Sequence, residues 1–343
     1  MPWTQIKSLE TAGQGASSSG RILTYKDAIR EAHTQTLEKY AECYVIGEGI
    51  NDAGAIFGTT KGLVESFGSK RVLDVPISEE AFTGMALGSA VVGMRPVVVH
   101  QRDDFMMMAM DQIVNHVAKW NYMHGNQLSI SLVMRAIIGR GWGSAAQHSQ
   151  SLQALFAHIP GLQVVMPTTP YDAKGLLIAA IESNQPVIML EHRWLYERVG
   201  YVPEEYYALP FGKGRVLREG TDATIISFSY MTIEALKAAD ILANEGYSIE
   251  VFDPLSIVPM DMQGILTSLK KTGRVIIADT GHRTCGVSAE VSARIMEEGF
   301  EYLKAPVKRI TLPDHPTPAS SHLEQLYYPG SEEIAKAVKG VLG

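Results

Sequence analysis

Four places along this chain carry side chains of the right type and spacing for chemistry. The first is Asp74-Val-Pro-Ile-Ser-Glu79-Glu80, where two carboxylates stand between an apolar run and a helix rich in small residues. Val75-Pro76 closes the run, because proline has no amide hydrogen to give a central strand. Acidic residues at a helix start are favoured by the helix dipole, so capping accounts for the pair by itself. The alternative is a catalytic carboxylate at the carboxyl end of a strand, where open α/β sheets place their ligands. The second place is Gly47-Glu48-Gly49, whose glycines permit a tight turn that presents Glu48 just after the apolar Cys43-Tyr-Val-Ile46. The third is His148, which follows the glycine-rich run Gly139-Arg-Gly-Trp-Gly143. A histidine beside such a turn either exchanges protons near neutral pH or is simply held in the loop by hydrogen bonds. The fourth is Asp103-Asp104-Phe105, just beyond His100. Phe105 with Met106-Met-Met-Ala-Met110 forms either a soft apolar platform for a flat ring or an ordinary core-facing helix.

The elements that must hold these groups follow from local pattern. Thr24 is placed as the N-cap of a helix over 25–40, with Ala28, Ile29, Ala32, Thr36 and Leu37 at helical spacing. Short apolar runs at 43–46, 71–74, 96–100, 128–134, 163–166 and 186–190 read as strands. Helices are expected between them at 104–121, 152–157 and 171–182. After the polar stretch 191–210 a second β/α series begins, with strands at 223–228, 248–252, 274–278 and 307–311. Strands alternating with helices predict an α/β protein of two domains, each a mainly parallel sheet covered on both faces. The division expected is a mobile tail at 1–20, a first domain at 21–195, a linker at 196–212 and a second domain at 213–343.

Composition narrows the partners. The chain has 343 residues, 46% of them hydrophobic, ample for buried cores. A net charge of −7 argues against nucleic acid or an anionic membrane as the partner. The longest apolar runs are interrupted well short of a membrane span. The first residues show no charged-then-apolar signal, and Cys43 and Cys285 have no metal-ligand spacing, so a reduced, cytoplasmic protein is expected. No dinucleotide glycine fingerprint and no phosphate-binding P-loop occurs.

Taken in order, the segments resemble the β subunit of the two-chain 2-oxoacid dehydrogenases, the decarboxylating component of the pyruvate, branched-chain and acetoin complexes. The resemblance runs from about Thr24 to the C-terminus. It rests on Arg71-Val-Leu-Asp-Val-Pro-Ile-Ser-Glu79, Phe82-Thr-Gly84, Gly93-Met-Arg-Pro96, Ala109-Met-Asp-Gln112 and Ala145-Ala-Gln-His-Ser-Gln150. Pro160-Gly-Leu-Gln-Val-Val-Met-Pro167 and Asp172-Ala-Lys-Gly-Leu176 extend it. Val251-Phe-Asp-Pro-Leu-Ser-Ile-Val-Pro-Met-Asp261 and Gly286-Val-Ser-Ala-Glu290 are similar to the transketolase-type C-terminal domain. The implied fold is a thiamine-pyrimidine-binding domain followed by that C-terminal domain.

The resemblance further implies thiamine diphosphate at an interface with an α subunit in an α2β2 heterotetramer, with Mg2+ held mainly by the α chain. The Gly-Asp-Gly and downstream asparagine that usually grip magnesium and diphosphate are absent from this chain, in keeping with half a site. Glu79 then matches the carboxylate that hydrogen-bonds the cofactor's pyrimidine nitrogen and so activates it, and Phe105 the ring stacked on the pyrimidine. Glu48 matches a second active-site glutamate, and His148 a histidine facing the substrate or lipoyl-arm channel. A potassium ion is implied through backbone groups near Ala180, Ser183 and Gln185, although Ser183 and Gln185 replace the usual Asp and Asn.

One departure bears on substrate. Val99-His-Gln-Arg-Asp-Asp-Phe105 replaces a largely apolar family segment, and Arg140-Gly-Trp-Gly143 an alanine-rich one. His100, Arg102, Asp103 and Trp142 are therefore expected to line a substrate pocket, since polar walls favour a hydrogen-bonding ligand. The leading expectation is the β subunit of an oxidoreductase that decarboxylates a 2-oxoacid and hands the acyl group to lipoamide, with a lipoyl-bearing acyltransferase as a further partner. The alternatives are a split transketolase-like carboligase for a polar or sugar-like substrate, and a non-catalytic scaffold of the same fold.

Overall fold

The computed structural model describes Lys7, Ser8, residues 20–52, Gly54, residues 56–140 and residues 143–343. Two compact units emerge. The first runs to Ile138 and resumes over Leu155–Pro210; the second joins Gly139–Ala154 to Phe211–Gly343. A linear division at the linker does not show this exchange of a loop.

The first unit begins, among described residues, with strands β1 (Lys7–Ser8) and β2 (Ile22–Thr24). The rest of the expected tail at 1–20, apart from Gly20, lies outside the described residues. Helix α1 (Tyr25–Lys39) starts where predicted, with the Thr24 side chain accepting from the Asp27 amide at 3.1 Å. Its buried face is Ala28, Ile29, Ala32, Thr36 and Leu37. The central strands are β3 (Cys43–Gly47), β4 (Val72–Asp74), β5 (Arg95–His100), β6 (Val133–Ile138), β7 (Gln163–Val165) and β8 (Val187–His192). They run parallel in the order β7-β8-β6-β5-β3-β4. Such an order needs crossover helices: α2 (Glu79–Val91) links β4 to β5, and α4 (Pro170–Glu182) packs on α1. The latter helix is opened by a Thr169–Asp172 capping box with proline in its first turn. Strand β9 (Arg198–Tyr201) falls in the expected linker but pairs with β1 and β2, so that stretch is built into the first unit.

Two expectations shift. The single helix foreseen at 104–121 is a series of short pieces: α3 (Asp103–Met106), a 3-10 turn, a π-helical stretch over Asp111–Val117, and a last turn at Trp120–Met123. Apolar spacing reports which face is buried but not the hydrogen-bond register, and wide π turns recur near functional sites. Strand β6 begins at Val133 rather than Leu128, which is 38% exposed. Ladder pairing, not local hydrophobicity, decides where a strand starts.

The second unit holds a five-stranded sheet, β10 (Arg215–Arg218), β12 (Ile249–Asp253), β11 (Ala223–Ser227), β14 (Val275–His282) and β15 (Lys308–Leu312), in that spatial order. Only β10 is antiparallel. A short strand, β13 (Ser256–Val258), follows β12. Helices α5 (Tyr230–Asn244), α6 (Met262–Thr272), α7 (Val287–Gly299) and α8 (Ser331–Leu342) supply the layers. One core joins Ile225, Val251 and Ile276 from the strands to Ala235 and Leu242 of α5 and Ile334 and Val338 of α8. No described helix is long and apolar enough to cross a membrane.

Candidate active site

Parallel register brings three strand ends of the first unit side by side. Gly47 pairs with Asp74 on one flank and Val99 on the other, and His100 pairs with Ala136. Gly47 is required here, since an added Cβ would lie 2.3 Å from the Val99 carbonyl oxygen. Glu48 therefore leaves β3 beside the end of β4. The Asp74 carboxylate accepts the Ile50 amide at 3.1 Å, tying the turn after β3 to that strand.

Glu79 is the first residue of α2 and is half-buried, whereas Glu80 is exposed. Ser78 makes no side-chain cap, and the Glu79 carboxylate takes no hydrogen bond from any described residue. It lines an open depression of about 690 Å3 with Ile77, Ser78, Gly84, Met108 and Gln112. Capping thus leaves this carboxylate unspent. Oε1 of Glu48 is buried without a partner among the described residues. Burial first, then the negative charge of Glu79 and that of Asp74, pushes the Glu48 carboxyl above its ordinary range, against a lowering by the Ser78 amide. Two carboxylates in each other's field, one with an orphaned oxygen, suit a ligand that brings donors and a proton-accepting ring nitrogen.

The next segment behaves differently. His100 is 2% exposed, its Nε2 lies 3.3 Å from the Thr83 hydroxyl, and its ring packs on Phe82 at 5.2 Å. Burial pushes its pKa down to about 3, so the ring is neutral. Arg102 donates from Nε to Asp104 at 2.9 Å, with both side chains buried. Asp103 is fully buried. These side chains, expected on a pocket wall, are enclosed within the first unit. Phe105 stands half-buried in α3, directly beyond the carboxyl end of β5. Met108, 67% exposed, is the member of the methionine run that reaches the depression beside Glu79. Gln112 reaches it too; its only sequence signal was its place in Ala109-Met-Asp-Gln112.

His148 belongs to the second unit and is exposed on a turn in which Ala145 has φ +59°. Trp142 lies outside the described residues. The structure thus brings Glu48 and Glu79 together in one unit and presents His148 on the other. Around Ala180, Ser183 and Gln185, the Ala180 carbonyl accepts the Ser183 amide at 3.2 Å and the Ser183 hydroxyl accepts the Gln185 amide at 3.1 Å. Arg95 donates to the Ile181 carbonyl at 2.8 Å. A guanidinium thus stands on the carbonyl next to Ala180 in that turn. Among the described residues, no three His, Cys, Asp or Glu side chains gather as a metal site.

Residues 22–198 match the transketolase pyrimidine binding domain and residues 212–334 the transketolase C-terminal domain. The chain is 41% identical to the acetoin:2,6-dichlorophenolindophenol oxidoreductase subunit beta of Bacillus subtilis, over 94% of this chain and 98% of that one. It is also 41% identical to the pyruvate dehydrogenase E1 component subunit beta of Rhizobium meliloti, over 95% of this chain and 71% of that one. Among solved structures, a split gene transketolase described as an inactive β4 tetramer aligns with TM-score 0.73 at 23% identity, covering 94% and 99% of the two chains. That last likeness speaks for the fold alone.

Proposed function

Because the chain belongs to the β subunits of the two-chain, thiamine diphosphate-dependent 2-oxoacid dehydrogenases, we propose that it works as that subunit in an enzyme that decarboxylates a 2-oxoacid and passes the acyl group to lipoamide. The observation that carries this reading is the unspent Glu79 carboxylate at the head of α2, which borders an open depression and whose charge reaches Glu48, itself with a buried oxygen unpartnered among the described residues. When bound, thiamine diphosphate supplies a nucleophilic carbon and an electron sink for the decarboxylation.

This chain's residues do the rest of its share. Glu79 holds a proton at its carboxyl for exchange with the pyrimidine ring nitrogen. Glu48 stands within reach of that charge: burial and the Glu79 carboxylate together hold the Glu48 carboxyl above its ordinary range. Phe105 and Met108 give an apolar wall that orients a flat ring and excludes water. His148 faces the substrate or the incoming lipoyl arm as proton donor or acceptor.

The remaining half of the site comes from an α subunit in an α2β2 assembly, which holds the diphosphate and Mg2+. A lipoyl-bearing acyltransferase takes the product. The compartment is the cytoplasm, a reducing one, in keeping with Cys43 and Cys285 both being free thiols. No potassium is assigned. The carboligase alternative rests on polar pocket walls at His100, Arg102 and Asp103; their burial in this unit favours the dehydrogenase reading over it.

Reconstitution with a cognate α subunit tests the reading. The assembled enzyme, given thiamine diphosphate and Mg2+, is expected to decarboxylate pyruvate or a branched-chain 2-oxoacid, or to cleave acetoin at its carbonyl–carbinol bond, with an artificial electron acceptor, while neither subunit alone does so. Turnover of sugar ketones in preference to every 2-oxoacid and acetoin would point to the carboligase, and an inert assembly to the scaffold.

A further inference from the structure

Residues 139–154 are inserted in the sequence of the first unit but fold with the second. The loop is closed at its base by the Gly139 amide donating to the Gln150 carbonyl at 2.8 Å. Each arm is then fastened separately to the C-terminal part of the chain. On the downstream arm, Gln153 is 1% exposed and donates from Nε2 to Asp279 at 2.8 Å and to the Thr280 hydroxyl at 3.2 Å. Asp279 is itself fixed by the amides of Gly281 and Ser288, each at 3.1 Å. This anchor is buried and rigid.

The upstream arm is held by a softer contact. The Arg140 guanidinium lies over the Tyr328 ring, 4.5 Å from its centroid. Tyr328 is positioned in turn by an edge-to-face contact with Tyr327 at 5.0 Å and by the Thr317 hydroxyl at 3.4 Å. Burial pushes the Tyr328 hydroxyl up to about 12, so the ring stays a neutral phenol and meets the guanidinium with its π face. Gly143, in the same arm, comes so close to the same segment that an added Cβ would lie 3.4 Å from the Ala319 carbonyl oxygen. Arg140 is thus held on Tyr328 and Gln153 on Asp279, and the described turn that presents His148 lies between these two anchors in sequence.

We propose that Tyr328 is a positioning residue for the loop that carries His148 and acts through the stacked Arg140. The inference rests on the reading of His148 as a residue that faces the reacting substrate. Nothing in the reaction requires Tyr328 to touch substrate or cofactor. Its ring sets where Arg140 sits at the upstream end of the loop, and that end sets the aim of His148.

The test uses the enzyme reconstituted with its α subunit and thiamine diphosphate. Tyr328→Leu is expected to lower kcat roughly 3- to 30-fold, the factor a cation–π contact is worth, with cofactor affinity and melting temperature unchanged. Hydrogen exchange of the peptide spanning 139–154 should speed up in the same variant. Arg140→Gln should match that loss, the double variant should lose no more than either single one, and Tyr328→Phe, which keeps the ring, should restore the rate. Multiplying losses in the double variant, unchanged exchange over 139–154, or a phenylalanine variant as impaired as leucine would overturn the proposal. If His148→Ala leaves turnover intact while Tyr328→Leu still speeds the exchange, the role of His148 fails and the positioning of the loop stands.

Discussion

Glu79 and the segment His100–Asp104 both sit at strand ends of the same parallel sheet, and both are polar where core residues end. Their fates are opposite. Glu79 takes no hydrogen bond from a described residue and borders open space. Arg102 is ion-paired to Asp104, and His100 is neutral against Thr83 and Phe82. A buried charge without its partner is costly, so Arg102 and Asp104 are committed to each other, while His100 stays neutral with its Nδ1 buried and unpartnered among the described residues. A half-exposed carboxylate with no partner contributes little to folding and is available for chemistry. Polarity at a strand end does not by itself mark a pocket; an unspent carboxylate that borders open space does.

That contrast can be broken by experiment, and the largest expected effect is on catalysis. Glu79→Gln should reduce turnover of the reconstituted enzyme by about 10²- to 10⁴-fold, the usual worth of a positioned proton-transfer group, with the melting temperature unchanged. Steady-state kinetics beside a thermal melt would show it, and an active Glu79→Gln enzyme would revive the scaffold reading. Arg102→Ala should do the reverse. Leaving Asp104 buried without its cation costs about 3–5 kcal/mol, visible in urea denaturation, whereas the surviving folded enzyme keeps its KM. A variant of normal stability but no activity would return Arg102 to the pocket.

Stability against pH separates His100 from Glu48 by sign. The His100 pKa lies near 3 when folded, below its ordinary value, so the unfolded chain takes up a proton that the folded one refuses. Its contribution is full above the ordinary histidine range and is lost as pH falls toward 3. His100→Leu should therefore flatten the acid limb of a stability–pH curve, leaving the part due to His33, which is lowered in the same direction. Glu48 has the opposite sign and the smallest effect. Its raised pKa means the folded state holds the proton longer, so stability falls as pH rises from the ordinary carboxyl range through the raised value. Glu48→Gln should remove that fall, and Glu79→Gln should shrink it by removing a neighbouring charge.

Much of this was legible along the chain. The Thr24 cap, the buried face of α1 and the end of β4 before Val75-Pro76 are local facts of spacing and backbone chemistry, and they hold in three dimensions. So does the presence of Glu48 and Glu79 at neighbouring strand ends, because parallel β/α units put successive carboxyl ends on one edge. The segmented helix beyond His100 was not legible, since its pieces are each too short for apolar spacing to separate α from π registers. Nor was the enclosure of His100 and Arg102, which depends on Thr83, Phe82 and Asp104 closing over them.

What the sequence determined by itself is the order of elements, the family and the identity of the groups that could act, because periodicity, caps and ordered motifs are carried by residues close together in the chain. Only the tertiary structure decided which of those groups remain unspent and which unit carries each. Satisfaction of a polar group depends on partners brought from far along the chain, as Asp279 meets Gln153 and Tyr328 meets Arg140. That is why Glu79, first indistinguishable from Glu80 as a helix cap, stands out, and why the loop bearing His148 answers to residues nearly two hundred positions away.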